Sequence, residues 1–95
     1  MRASVRDISL QFDIIREGRS FIVYCPALDL ATHGNSIAEA KKSFFEAAEL
    51  FFETIVENDT FEETLNNLGW QIRGKNFNPP LIISRDTQSI AVPLP

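Results

Sequence analysis

Apolar side chains recur at Ile37, Ala40, Phe44, Ala47, Ala48, Phe51 and Ile55, the i, i+3, i+4, i+7 spacing of one helix face. This is the only long helical pattern in the chain, and it predicts a helix within residues 34–58. Ser36 and Glu39 form an S-x-x-E capping box at its start. Gly34, just before the cap, is expected to supply a turn with positive φ. Asn58, Asp59 and Thr60 end the helix, because short polar side chains compete for backbone hydrogen bonds and favour caps and turns. A second apolar line, Phe45, Phe52 and Val56, lies beside the first. One helix then carries more apolar surface than a single sheet face covers; either the segment at 61–70 with the C-terminal strands covers the rest or a second subunit does, and the subunit is the expected cover.

Before the helix the period changes from 3.6 to 2. Residues 8–15 alternate apolar and polar, which predicts a half-buried strand with Ile8, Leu10, Phe12 and Ile14 inward. Gly18 marks a short turn within residues 16–20. Residues 21–25 are apolar on both faces and read as a central strand. Pro26 stops that strand, since it has no N–H for a ladder. Residues 28–32 read as a third strand with Leu28 and Leu30 on one face. A three-stranded antiparallel meander with a helix across one face is the economical assembly.

After the helix, Phe61, Leu65 and Leu68 make a short amphipathic face, with Thr60 and Glu63 as a second capping box and Gly69 as a stop. Residues 70–73 alternate like a strand, and residues 74–80 are a loop by composition. Residues 81–84 and 89–93 read as a hairpin around a turn at 85–88. The predicted fold class is therefore α+β: the meander, one long helix, a short second helix and C-terminal strands, in a single domain over residues 1–95.

Composition adds limits. The chain has 95 residues, 44% hydrophobic and 23% charged, as in an ordinary soluble globular domain with a small core. No run approaches the roughly 18 apolar residues of a membrane span. Residues 1–7 lack the apolar stretch of a signal peptide. A single cysteine allows no internal disulfide and fits a reducing, cytoplasmic compartment.

The net charge of −4 is unevenly placed. Residues 36–64 carry Lys41 and Lys42 against eight acidic side chains, a local net of −6, whereas residues 65–95 carry +2. Clustered Lys and Arg are what nucleic-acid binding needs, so direct phosphate contact is not expected. Glu46, Glu49, Glu53 and Glu57 recur every three or four residues along the helix, a face suited either to solvent or to a basic partner.

Catalytic constellations are thin. Cys25, Asp29 and His33 could be read as nucleophile, orienting acid and base. Cys25, however, continues an apolar strand and reads more simply as a small buried hydrophobe. One His and one Cys do not make the three or four ligands of a metal site, and the four glycines are isolated at turns, so no phosphate-binding loop, cofactor or metal is expected. On its residues the chain does not read as an enzyme.

The order of motifs resembles the HicB family of antitoxins. Pro26 with Leu28, then Gly34 with Ser36, then Glu39 with Ala40 opening an aliphatic and aromatic helix, are similar to that family's segments, and Leu68-Gly69-Trp70 is similar to a segment found in some members. The likeness spans residues 8–70. It implies a partial ribonuclease-H-like β-β-β-α-β fold without that fold's catalytic carboxylates. It also implies masking of a small basic HicA-type toxin that cleaves mRNA, with Glu46, Glu49, Glu53 and Glu57 as the toxin-facing acidic surface. Family members commonly form dimers or tetramers, which would bring Phe45, Phe52 and Val56 to an oligomer contact. The chain departs from members that carry a C-terminal DNA-binding domain, since residues 71–95 read as strands. The other reading is a solitary homo-oligomeric structural or regulatory module with the same fold and no toxin.

Overall fold

Strand β1 is set by the length of its partner. The computed structural model describes residues 6–95, in which β1 (Asp13–Glu17) pairs antiparallel with β2 (Ser20–Cys25), and β2 with β3 (Leu30–Gly34). Glu17 lies opposite Ser20, so the turn is the two residues Gly18 and Arg19, with Gly18 at φ 61°. Gly at the first central position is the pattern of a type II′ hairpin. That turn fixes the register, and Pro26 ends β2, so pairing stops at Asp13 opposite Tyr24. Residues 8–12, expected within the strand, have no ladder partner. Ile8, Leu10 and Phe12 instead pack, half-buried, against the core. Ile14, expected inward, is 44% exposed: it lies opposite Val23, but α1 crosses β2 and β3 and does not reach the outer strand.

The third strand begins two residues later than its apolar pattern suggests. Leu28 N–H donates to the Cys25 carbonyl at 3.3 Å and Asp29 N–H to the Pro26 carbonyl at 3.2 Å, which folds residues 25–29 into a turn. Ala27 and Leu28 are buried in that turn and serve the core without a ladder. Asp29 takes φ 49°, a conformation that Asp tolerates because its short side chain bonds locally. Here the Tyr24 hydroxyl donates to Asp29 Oδ1 at 3.0 Å.

Helix α1 (Ile37–Glu57) starts as its cap residue dictates: Ser36 is extended and its Oγ accepts from Glu39 N–H at 3.1 Å. Gly34 does not turn the chain with positive φ, contrary to expectation. It is the buried last residue of β3, and a Cβ there would stand 2.7 Å from the Ala40 nitrogen. Glycine is needed for the close approach of strand to helix. Thr32 Oγ1 adds a bond to the Ala40 carbonyl at 3.1 Å across the same seam. Ala40, Phe44, Ala48 and Ile55 form the buried stripe, with Phe51 half-buried beside them, whereas Ile37 at the open first turn is 44% exposed.

Both helices end in the same way. Beyond α1, Asp59 at φ 57° donates to the Val56 carbonyl and Thr60 N–H to the Ile55 carbonyl at 2.9 Å. Beyond α2 (Phe61–Asn67), Gly69 at φ 88° donates to the Asn66 carbonyl and Trp70 N–H to the Leu65 carbonyl at 3.0 Å. These pairs of bonds are the Schellman motif, which satisfies orphan carbonyls at a helix end. The first motif also explains why the expected Thr60–Glu63 capping box does not form. Thr60 closes α1, and its hydroxyl is turned back to the Ile55 carbonyl at 3.5 Å instead of capping α2.

Strand β4 (Gln71–Arg73) pairs with β5 (Asn76–Asn78) around Gly74 at φ 60°, so the stretch expected as loop contributes a strand. The expected hairpin over residues 81–93 is absent, and no strand lies between residues 79 and 95. Ile82 N–H donates to Gln11 Oε1 at 2.8 Å and Arg85 pairs with Asp13, so the segment first runs beside residues 11–13. Beyond that it runs on as an exposed arm without helix or strand. Pro93 removes one of the donors such a hairpin would use. The radius of gyration is 16.4 Å, against about 12 Å for a rounded chain of this length, and the long dimension is 58 Å. No helix among the described residues is long and apolar enough to cross a membrane.

Candidate functional site

The outer side of α1 divides into stripes because each residue advances about 100° around the axis. The core stripe centres on Phe44, Ala48 and Ile55. Phe45, Phe52 and Val56 lie roughly 100° from it, and Glu46, Glu49, Glu53 and Glu57 lie roughly 80° further round. All four glutamates are exposed. Among the described residues the one ion pair is Arg85–Asp13, so none of these carboxylates is held by a basic side chain there.

Between the acidic stripe and the core lies an apolar concavity of about 540 Å³, lined by Ile8, Phe52, Val56, Phe61 and Phe77, with Glu49, Glu53, Glu57 and Arg6 on its rim. A second one of about 320 Å³ adjoins it and shares Ile8, Phe52 and Glu49; Phe12 and Phe45 line it further along the helix. Together they form a trough along α1. Arg6 is fixed at its rim because Nη1 donates to the Lys75 carbonyl at 3.1 Å and to Asn76 Oδ1 at 2.8 Å.

The three residues of the second apolar line meet different fates. Phe52 is half-buried and stands edge-on to Trp70 of its own chain, with ring centres 6.0 Å apart. Phe45 stays 49% exposed although the Phe12 ring lies 6.3 Å from it, and Val56 stays 59% exposed. Within the described chain the segment at 61–77 thus covers one of the three.

Sequence reasoning did not anticipate two fastenings of this face. One is the strip at residues 6–12, which lies along the helix instead of in the sheet. The other is Trp70, whose indole N–H donates to the Ala27 carbonyl at 2.8 Å in the core. The available signal was the residue type: a buried Trp needs an acceptor for its single donor.

The candidate catalytic trio does not assemble. Cys25 faces the helix with no exposed surface, and burial pushes its thiol up from the ordinary value. His33 pairs with Ile22, on the opposite sheet face to Cys25. The Asp29 carboxylate accepts from Tyr24, which raises the tyrosine's pKa. Among the described residues no group of three or more His, Cys, Asp or Glu is placed to hold a metal ion.

Compared with family models, with curated proteins and with solved structures, the chain matches none. Similarity to HicB antitoxins therefore stands on the motif order alone, and those motifs have visible structural roles. Pro26 and Leu28 make the buried turn that receives Trp70, Gly34 admits the helix, and Ser36 caps it.

Proposed function

We propose that this chain is a HicB-like antitoxin, a binding protein that sequesters a small basic mRNA-cleaving toxin of the HicA type by covering its active site and RNA surface. The observation that carries the reading is the row of exposed, unpaired carboxylates at Glu49, Glu53 and Glu57 along the rim of an apolar trough. A basic protein surface gains twice from such a face. Its Lys and Arg side chains are steered in and paired by the carboxylates, and apolar groups among them leave water in the trough. Glu46 extends the same row. The order β-β-β-α, with the catalytic trio dispersed, supports masking over chemistry as the mode of action.

The test is coexpression with any small basic protein encoded beside this one. A copurifying complex and relief of growth arrest are expected. The triple variant Glu49→Lys/Glu53→Lys/Glu57→Lys should weaken the complex by at least about tenfold, since like charge then faces like charge. Failure of the wild-type chain to bind or to protect would overturn the reading. The alternative is a solitary homo-oligomeric structural or regulatory module. It is favoured by the apolar side chains left open on the arm, and it predicts self-association with no toxic neighbour.

A further inference from the structure

Residues 6–12 hold a place in the molecule without a place in its sheet. No backbone-to-backbone hydrogen bond joins them to any other described residue. Their inner side is apolar: Ile8, Leu10 and Phe12 pack half-buried on the core, and the Phe12 ring lies 5.3 Å from Phe44 and 6.3 Å from Phe45. Ile8 lines both concavities of the α1 trough, and Leu10 and Phe12 line the second. The strip is therefore one wall of the trough. Among the described residues that line it, those at 6–12 alone lie outside helix and strand.

On its outer side the strip is tied by side chains to a single segment. Arg6 Nη1 donates to the Lys75 carbonyl at 3.1 Å and to Asn76 Oδ1 at 2.8 Å, and Gln11 Oε1 accepts from Ile82 N–H at 2.8 Å. These partners stand 69, 70 and 71 positions apart, and the Asp13–Arg85 pair continues the series. Strip and segment thus run side by side in the same direction. The three hydrogen bonds are exposed, as is the Arg85 side chain. Such ties stabilise little, because water competes for both partners. Clefts of about 420 Å³ beside Ile8 and about 550 Å³ beside Leu10 and Phe12 separate the two runs of chain. The outer side of the strip has room to move into.

We propose that residues 6–12 are a movable wall of the trough, hinged at Asp13, where the β1 ladder begins, and latched from outside by residues 75–85. Swinging the strip outward uncovers three half-buried side chains and breaks the ties, but it breaks no ladder. Opening is therefore a local event, cheaper than unfolding the sheet and helix beneath it. It admits groups larger than the resting 540 Å³ concavity holds, and reclosing brings Ile8, Leu10 and Phe12 down beside them. The latch gives the C-terminal segment control over access to the trough. The inference does not rest on the antitoxin reading, because the wall opens with or without a partner.

Leu10→Cys places a thiol on the inner side of the wall, in a chain whose own Cys25 is fully buried. A thiol-reactive dye with peptide mapping reads both rates in one sample, and Ile8→Cys is the second probe of the same wall. The introduced thiol should label at least about tenfold faster than Cys25, which waits for global unfolding, and at least about tenfold slower than Ser89→Cys on the exposed arm. Adding Gln11→Ala and Arg85→Ala, which cut two ties, should speed the introduced thiol roughly three- to tenfold. Gly34→Ala, which strains the core and leaves the wall alone, should speed Cys25 and not the introduced thiol. Four results would each overturn the proposal: an introduced thiol no faster than Cys25, one as fast as Ser89→Cys, one unmoved by the latch variants, or one accelerated by Gly34→Ala together with Cys25.

Discussion

The indole Nε1 of Trp70 donates to the carbonyl oxygen of Ala27 at 2.8 Å, with both residues buried. This bond joins the turn after β2 to the residue that closes α2. The same ring stands near Phe52 and Phe77, so one side chain holds together the turn, the long helix and the β4–β5 hairpin. Trp70→Phe keeps most of the ring and removes the donor. The Ala27 carbonyl is then buried without its partner, which costs about 1–3 kcal/mol. Urea unfolding should report that loss, with the m-value unchanged.

Gly34→Ala tests the seam between sheet and helix. The added methyl meets the Ala40 backbone nitrogen at 2.7 Å and Glu39 at 3.0 Å, and backbone cannot swing aside. A loss of about 1–3 kcal/mol is expected, as for other overpacked sites. Gly18→Ala is the contrast: nothing lies within 4 Å of its Cβ, and only the positive φ is strained, at about 1–2 kcal/mol. A second substitution, Thr32→Val, should couple to Gly34→Ala in a double-mutant cycle because both act on Ala40.

Asp59 holds the left-handed position after α1, where glycine is the usual occupant. Asp59→Gly should raise stability by on the order of 0.5 kcal/mol, the relief of the Cβ conflict less the added freedom of the unfolded chain. Thermal unfolding followed by circular dichroism measures it.

Burial raises the Cys25 thiol, and the bond to Asp29 raises Tyr24, so both groups keep their protons more firmly when folded. The folded chain then binds more protons than the unfolded one in alkali, and stability falls as pH rises. The fall begins near the ordinary thiol value of about 8.5 and steepens above it. Cys25→Ala should flatten the first part of that profile. Thiol-reactive dye at pH 8 should label Cys25 only at the rate of unfolding.

The long helix was legible because its determinants are local. Ser36 caps it, Asn58 to Thr60 close it, and the 3.6 period names its buried face within a few residues of sequence. The acidic row was legible for the same reason, since side-chain order along a helix follows from spacing alone. Gly18 and Gly69 were read as the turn and the stop they are. What failed were statements about partners. Residues 8–12 alternate like a strand, but the short β2 has no ladder left for them. Residues 81–84 and 89–93 read as strands too, but no strand among the described residues pairs with them.

The sequence by itself determined that there is an antiparallel meander, a long amphipathic helix with two extra stripes, and an exposed row of glutamates on that helix. Those features depend on each residue and its near neighbours. Only the tertiary structure decided that β1 starts at Asp13, that Gly34 serves close packing, that Trp70 bonds Ala27, and that a trough opens beside Glu49, Glu53 and Glu57. Each of these depends on which distant segment occupies the adjacent space, and a periodic pattern carries no record of that.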